Sequence, residues 1–187
     1  MSAVIPLHWG EAGPDEGDLR RLRAGDAVEI TGRVITLRDA SAGRLARTLT
    51  ANEPLPCTLE RQVLYAVGPS PAKPGQVIGS ASPTTTARMG RYLPALFSAG
   101  VRAVIGKGEL HGDDAAAFVR HHAVYFAAIG GIGALLAKQV TSATVVAYSE
   151  LGPEALYQLE VAAFPAVVII DMDGRNFHET AREQWRR

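Results

Sequence analysis

VRAVIGKG, residues 101–108, is an apolar run that stops on a lysine set between two glycines. Val101–Ile105 predicts a buried strand, and Gly106-Lys107-Gly108 a turn at its carboxyl end. Thr84–Ala99 ahead of it predicts a helix, with Met89, Leu93, Leu96 and Phe97 on one face and Pro94 as a kink point. Behind it, Asp113–His121 reads as a helix, Ala123–Ala128 as a strand and Ile132–Gln139 as a helix. Strands are predicted over Val145–Ser149, Leu156–Val161 and Val167–Asp171. This alternation predicts a mixed α/β domain. Such folds bind ligands at the carboxyl ends of their strands, which makes Lys107 a candidate contact. The plain alternative is a tight turn with an exposed lysine.

Upstream the pattern is richer in strands. Val28–Leu37 (VEITGRVITL) alternates around Gly32, as two short strands or one bent strand. Ala40–Leu49 predicts a short amphipathic helix, Gln62–Val67 a buried strand, Gly68–Gly75 (GPSPAKPG) a loop and Gln76–Ser80 another short strand. Residues 1–18 read as a flexible N-terminal arm, 19–178 as the domain and 179–187 as a polar tail.

Composition narrows the function classes. The chain has 187 residues, 47% hydrophobic and 20% charged, which suits one globular domain. Nineteen basic residues balance nineteen acidic ones, so there is no electrostatic footprint for nucleic acid or an anionic membrane. The single Cys57 excludes an internal disulfide and a self-contained iron–sulfur cluster. The longest apolar stretch, around Ala123–Ala137, is broken by glycines and makes a poor membrane span. Met1–Pro14 lacks a signal-peptide pattern, so a cytoplasmic protein is expected. Only Lys73, Lys107 and Lys138 are lysines.

Two further segments carry candidate chemistry. In SASPTTTARMGR (80–91), Ser82 suits an N-cap and Pro83 the first helical position. Thr84, Thr85 and Thr86 would then set hydroxyls beside free amides, with Arg88 one turn on, as an anion site requires. A well-capped helix with a solvent-facing arginine is the alternative. In ITLRDASAGR (35–44), Arg38 closes a strand beside Asp39, and a guanidinium suits bidentate carboxylate recognition. A surface ion pair is the alternative. Elsewhere, IGGIGA (129–134) reads as packing glycines rather than a nucleotide loop. The adjacent His121 and His122 diverge, Asp171 and Asp173 read as a turn, and Cys57 as a small apolar filler.

Three cations and a threonine-rich segment suit a small dianion such as a four-carbon dicarboxylate. In order, LRAGD (22–26), GRVITLRD (32–39), SPTTTARM (82–89), IGKG (105–108), IGGIGA (129–134), SELG (149–152) and DMDG (171–174) resemble the motifs of one family. That family is the β subunit, or C-terminal domain, of class I iron–sulfur fumarases and L(+)-tartrate dehydratases. The resemblance spans roughly residues 19–178. It implies a swivelling β/β/α domain that closes over a [4Fe–4S] cluster carried by an α subunit, and a reversible dehydration of a 2-hydroxy dicarboxylic acid. It further implies that Arg38, Arg88 and Lys107 clamp the substrate, that Thr84 and Thr85 line the site, and that Thr84 and Lys107 are the catalytic candidates. The chain alone would be inactive, and isolated it could pair with itself. Four positions depart from the pattern. Ala42 and Asp173 stand where the family has histidines, Ser82 replaces a glycine and Gly90 an aspartate. A catalytically lost subunit that binds a dicarboxylate or a partner is the alternative reading.

Overall fold

The computed structural model describes residues 3–185. Its core is a mixed sheet with strand order β1-β2-β3-β4-β5-β7-β6, and β2 also pairs with β7. Strands β2 (Ala27–Thr36), β3 (Val63–Tyr65), β4 (Ala103–Gly106) and β5 (Val124–Ala127) run parallel. The long β7 (Leu156–Ile170) runs antiparallel to both β5 and β2. These five strands therefore close into a small barrel. Two further strands join this sheet: β1 (Ile5–His8) pairs with β2, and β6 (Val140–Ala147) with β7.

The pleat explains why the parallel strands read as unbroken apolar runs. Successive residues point to opposite faces, and both faces are covered. Val63, Tyr65, Ala103, Ile105, Val124 and Phe126 belong to one buried cluster, while Leu64, Val104 and Tyr125 belong to another. The first cluster fills the barrel. Tyr65 on β3 and Phe164 on β7 meet edge to face, with centroids 5.2 Å apart, although their strands are not neighbours. The second cluster lies under the helices α2 (Asp39–Thr50), α3 (Leu93–Ser98) and α4 (Gly112–Arg120). Three short helices complete the fold: α1 (Glu16–Arg20), α5 (Gly133–Lys138) and α6 (Phe177–Trp185). Among the described residues, no helix is long and apolar enough to cross a membrane.

The mixed α/β class agrees with the sequence reading; several details do not. Residues expected in a loose arm include β1, whose Leu7 is buried against the sheet, and most of α1. A strand of only four residues gives little signal until its partner β2 is known. The two strands expected over 156–161 and 167–171 are one, because Pro165 is tolerated opposite Glu29 of β2 without breaking the pairing. Gln76–Ser80 is a loop. Of the expected polar tail, residues 179–185 continue α6, and the last two positions lie outside the described residues, as do Met1 and Ser2.

Val28–Leu37 is one strand with an irregularity. The β2–β7 register shifts between Ile30 and Gly32, and Gly32 has φ +146°. A Cβ there would overlap the Trp9 carbonyl and lie 2.9 Å from its indole Nε1. Gly32→Ala should therefore destabilise the fold by about 3 kcal/mol through overpacking and backbone strain. A lower urea midpoint checks this; an unchanged midpoint counts against it.

Tyr65 and Tyr125 are fully buried, and burial pushes both phenol groups up, Tyr125 to about 12. An unfolded tyrosine ionises near pH ~10. Above that pH the unfolded chain releases protons that the folded chain keeps, so stability falls as pH rises. Denaturant titrations should show no contribution from these groups below about pH 9. A loss of about 1.4 kcal/mol per pH unit for each tyrosine should begin near pH 10.

Candidate functional site

The three segments singled out for chemistry, ITLRDASAGR, SASPTTTARMGR and VIGKG, meet at the carboxyl ends of the parallel strands. Arg38 leaves β2 and is the residue before α2. Its backbone N–H donates to Ser41 Oγ at 3.0 Å. Its guanidinium lies beside Gly68, just past β3, where a Cβ would come within 3.0 Å of Nη1. Arg38 Nη2 is 3.3 Å from Glu154 Oε1, and the other Glu154 oxygen accepts the Ala40 N–H at 2.9 Å. Glu154 thus satisfies a free amide of the first turn of α2 and holds Arg38 with the same carboxylate.

Arg88 reaches the same place from a different segment. Its Nε donates to Asp39 Oδ1 at 3.1 Å, and its Nη2 lies 3.1 Å from Oδ2. Arg38 Nε is 3.6 Å from that same Oδ2, too far for a hydrogen bond, and has no other partner. Two guanidiniums that are 50 residues apart in sequence therefore converge on one carboxylate. Asp39 orients them both, which goes beyond the neighbour pairing suggested by Arg38-Asp39 alone.

Lys107 directly follows β4, the strand next to β3. It forms a parallel bridge with Thr85, and the Thr86 N–H donates to its carbonyl at 3.0 Å. Its aliphatic stem passes Gly130, just beyond β5, where a Cβ would lie 3.9 Å from Cδ. Thr84 is half-buried and Thr85 exposed. The segment from Thr84 to Arg88 thus joins the lysine side of the barrel mouth to the arginine side.

This segment corrects the expected helix over 84–99. Residues 82–84 form no helix, Thr85 is extended, and a 3-10 helix begins only at Thr86 and runs to Tyr92. Neither Ser82 nor Pro83 starts a helix. The Thr84 N–H donates to the Ala66 carbonyl at 2.7 Å and the Thr86 N–H to Lys107, so these amides are not free to bind an anion. The reason is local and tertiary at once: β-branched threonines favour extended backbone, and the ends of β3 and β4 offer them carbonyl partners. Pro94 is the second residue of α3, where its missing N–H costs nothing.

The departing positions fall differently. Ala42 is buried on the inner face of α2. A Cβ on Gly90 would overlap the Asp114 carboxylate, so a carboxylate from α4 occupies the space beside it. The DMDG turn lies at the opposite, amino end of the strands. Asp171 is fully buried and accepts the N–H groups of Ala24, Asp173 and Arg175 at 3.0–3.1 Å, while Asp173 pairs with Arg175 in solvent. That is the turn expected from the sequence, far from the cations.

At this end Thr85 and Arg88 are exposed, and Thr84 and Lys107 are half-buried. A cavity of about 510 Å³ lies elsewhere, between the loop at 70–80 and α5, with Lys73 and Lys138 among its lining residues. Glu154 and Gly68 were not anticipated. A glutamate 116 residues from its arginine gives no sequence signal, whereas the Gly68-Pro69 break after a buried strand could have marked a strand end used by the site.

Residues 12–181 match the family model described as the fumarase C-terminus. The chain belongs to this family. It is 34% identical over 173 residues to a Methanocaldococcus jannaschii protein provisionally named L(+)-tartrate dehydratase subunit β, with 89% of each chain covered. It is 34% identical over 154 residues to the anaerobic class I fumarate hydratase of Escherichia coli, covering 81% of this chain and 28% of that enzyme. Against fumarate hydratase 2 of Leishmania major it is 32% identical over 162 residues, covering 86% of this chain and 28% of that one. The chain thus spans nearly all of the first relative and under a third of the fumarate hydratases.

An iron–sulfur cluster does not fit the residues of this fumarase C-terminal-type chain. Cys57 stands alone and half-buried, and burial pushes its thiol up, against thiolate formation. Among the described residues no three His, Cys, Asp or Glu side chains come together as metal ligands.

Proposed function

We propose that this chain is the β subunit of an iron–sulfur hydro-lyase that reversibly dehydrates a small 2-hydroxy dicarboxylic acid, and that it supplies the carboxylate-binding half of the site. The observation that carries the reading is the convergence of Arg38 and Arg88 on Asp39, joined through Thr84–Arg88 to Lys107. In this reading the cluster belongs to an α subunit, whose surface closes the open mouth by a swivelling movement of this domain. Cytoplasmic assembly follows from the same reading.

The chemistry asks for what these residues offer. Dehydration removes a proton from the carbon next to one carboxylate and hydroxide from the neighbouring carbon. Negative charge builds on the carboxylate in the transition state, where fixed cations stabilise it. Arg38 and Arg88 hold the carboxylates, and their own carboxylate partners keep them pre-oriented. Lys107 places a third positive charge, and Thr85 presents an exposed hydroxyl. Thr84 Oγ1 is the candidate to move the proton. Expulsion of hydroxide is left to the partner's half.

The test is reconstitution. Mixed with its α partner under anaerobic conditions, the chain should support dehydration of malate or tartrate, and neither protein alone should. Calorimetric binding of these acids by the assembled complex without turnover would instead identify a catalytically lost subunit.

A further inference from the structure

We propose that Thr86 and Tyr125 are positioning residues for Lys107: they form a directed hydrogen-bond relay that clamps the lysine's backbone from both sides. The inference rests on the role proposed above for Lys107.

The geometry leaves one arrangement of protons. Tyr125 Oη lies 2.9 Å from the Gly108 carbonyl and 3.1 Å from Thr86 Oγ1, and Thr86 Oγ1 lies 3.2 Å from the Lys107 amide nitrogen. A carbonyl only accepts and an amide N–H only donates, and each hydroxyl has a single hydrogen. Tyr125 therefore donates to Gly108, Thr86 donates to Tyr125, and Lys107 N–H donates to Thr86. The chain begins at the amide of Lys107 and ends on the carbonyl of the next residue. The Thr86 N–H closes it by donating to the Lys107 carbonyl at 3.0 Å. Three backbone groups around one lysine are thus fixed by two residues.

Two features mark this as built for the turn. Both Thr86 and Tyr125 are fully buried, in a region otherwise packed with Met89, Phe118 and Leu110. Buried hydroxyls there are costly unless paired, and each is paired only through the relay. Gly106 is the second feature. A Cβ on it would overlap Thr86 Oγ1, so the first glycine of Gly-Lys-Gly makes the room that the hydroxyl needs. Lys107 then leaves a rigid backbone, with Gly130 open beside its stem. The high position of the Tyr125 hydroxyl keeps it a donor at any working pH.

The experiment compares Thr86→Val, Thr86→Ser and Tyr125→Phe. In the assembled complex, Thr86→Val and Tyr125→Phe should lower kcat/KM at least about tenfold, and Thr86→Ser should stay within about threefold of the unaltered enzyme. In the chain alone, hydrogen exchange at the Lys107 amide should quicken in the valine variant and return with serine. That readout needs no turnover. An inactive unaltered complex would therefore strike the functional proposal while leaving the clamp decided by exchange. If Thr86→Val lowers the melting temperature but leaves both the exchange at Lys107 and kcat/KM unchanged, the residue is merely structural and the proposal fails.

Discussion

Lys107→Ala is expected to lower kcat/KM of the assembled enzyme by about 10³-fold while the chain still folds and still binds its partner. The size follows from what is lost. A charge-assisted contact to a carboxylate is worth about 1.5–3 kcal/mol, and stabilising charge that grows in the transition state adds to it. The lysine side chain contributes nothing the fold needs: its stem borders Gly130 and its backbone is held by Thr85 and Thr86. Circular dichroism and co-purification with the α partner should therefore be unchanged. Arg88→Ala should fall in the same range, with an added loss, because Asp39 is then left beside Arg38 alone. Wild-type rates in both variants would remove these residues from the site.

Phe164→Ala is expected to cost about 4 kcal/mol of stability. Phe164 is fully buried inside the barrel, and its ring contacts Tyr65 on a strand that is not its neighbour. Removing it opens a cavity where β3 and β7 face each other. The β2–β7 pairing at Ile30 and Phe164, which closes the barrel, loses its packing at the same point. Urea unfolding should show the loss as a lower midpoint. A cost below about 1 kcal/mol would mean the strands do not enclose a packed interior.

Some of this was legible in the amino-acid order and some was not, for reasons that can be named. Lys107 could be placed because an apolar strand followed by Gly-Lys-Gly puts the lysine at a carboxyl end whatever the topology. Arg38 could be placed by the same logic. The state of Thr84–Thr86 could not be read locally. Ser-Pro followed by polar residues is a sound helix start, and only the carbonyls of Ala66 and Lys107 make the extended form better. β1 was missed because a four-residue strand depends on its neighbour for identity. Glu154 and Asp39 show the same limit on the electrostatic side. The closure of the barrel sets the partner of Glu154 by bringing the segment ahead of β7 against the end of β2, and the Thr84–Arg88 segment brings Arg88 to Asp39. The closure itself comes from β7 pairing with both β2 and β5, a tertiary event that periodicity does not encode.

The most direct measurement is a crystal structure of the chain bound to its α partner and a dicarboxylate that the enzyme does not turn over. Carboxylate oxygens are expected about 3 Å from the guanidiniums of Arg38 and Arg88 and from Lys107 Nζ, with Thr84 in the same closed cleft. A dicarboxylate bound away from all three cations, or an α subunit docked on another face and leaving the barrel mouth open to solvent, would contradict this expectation.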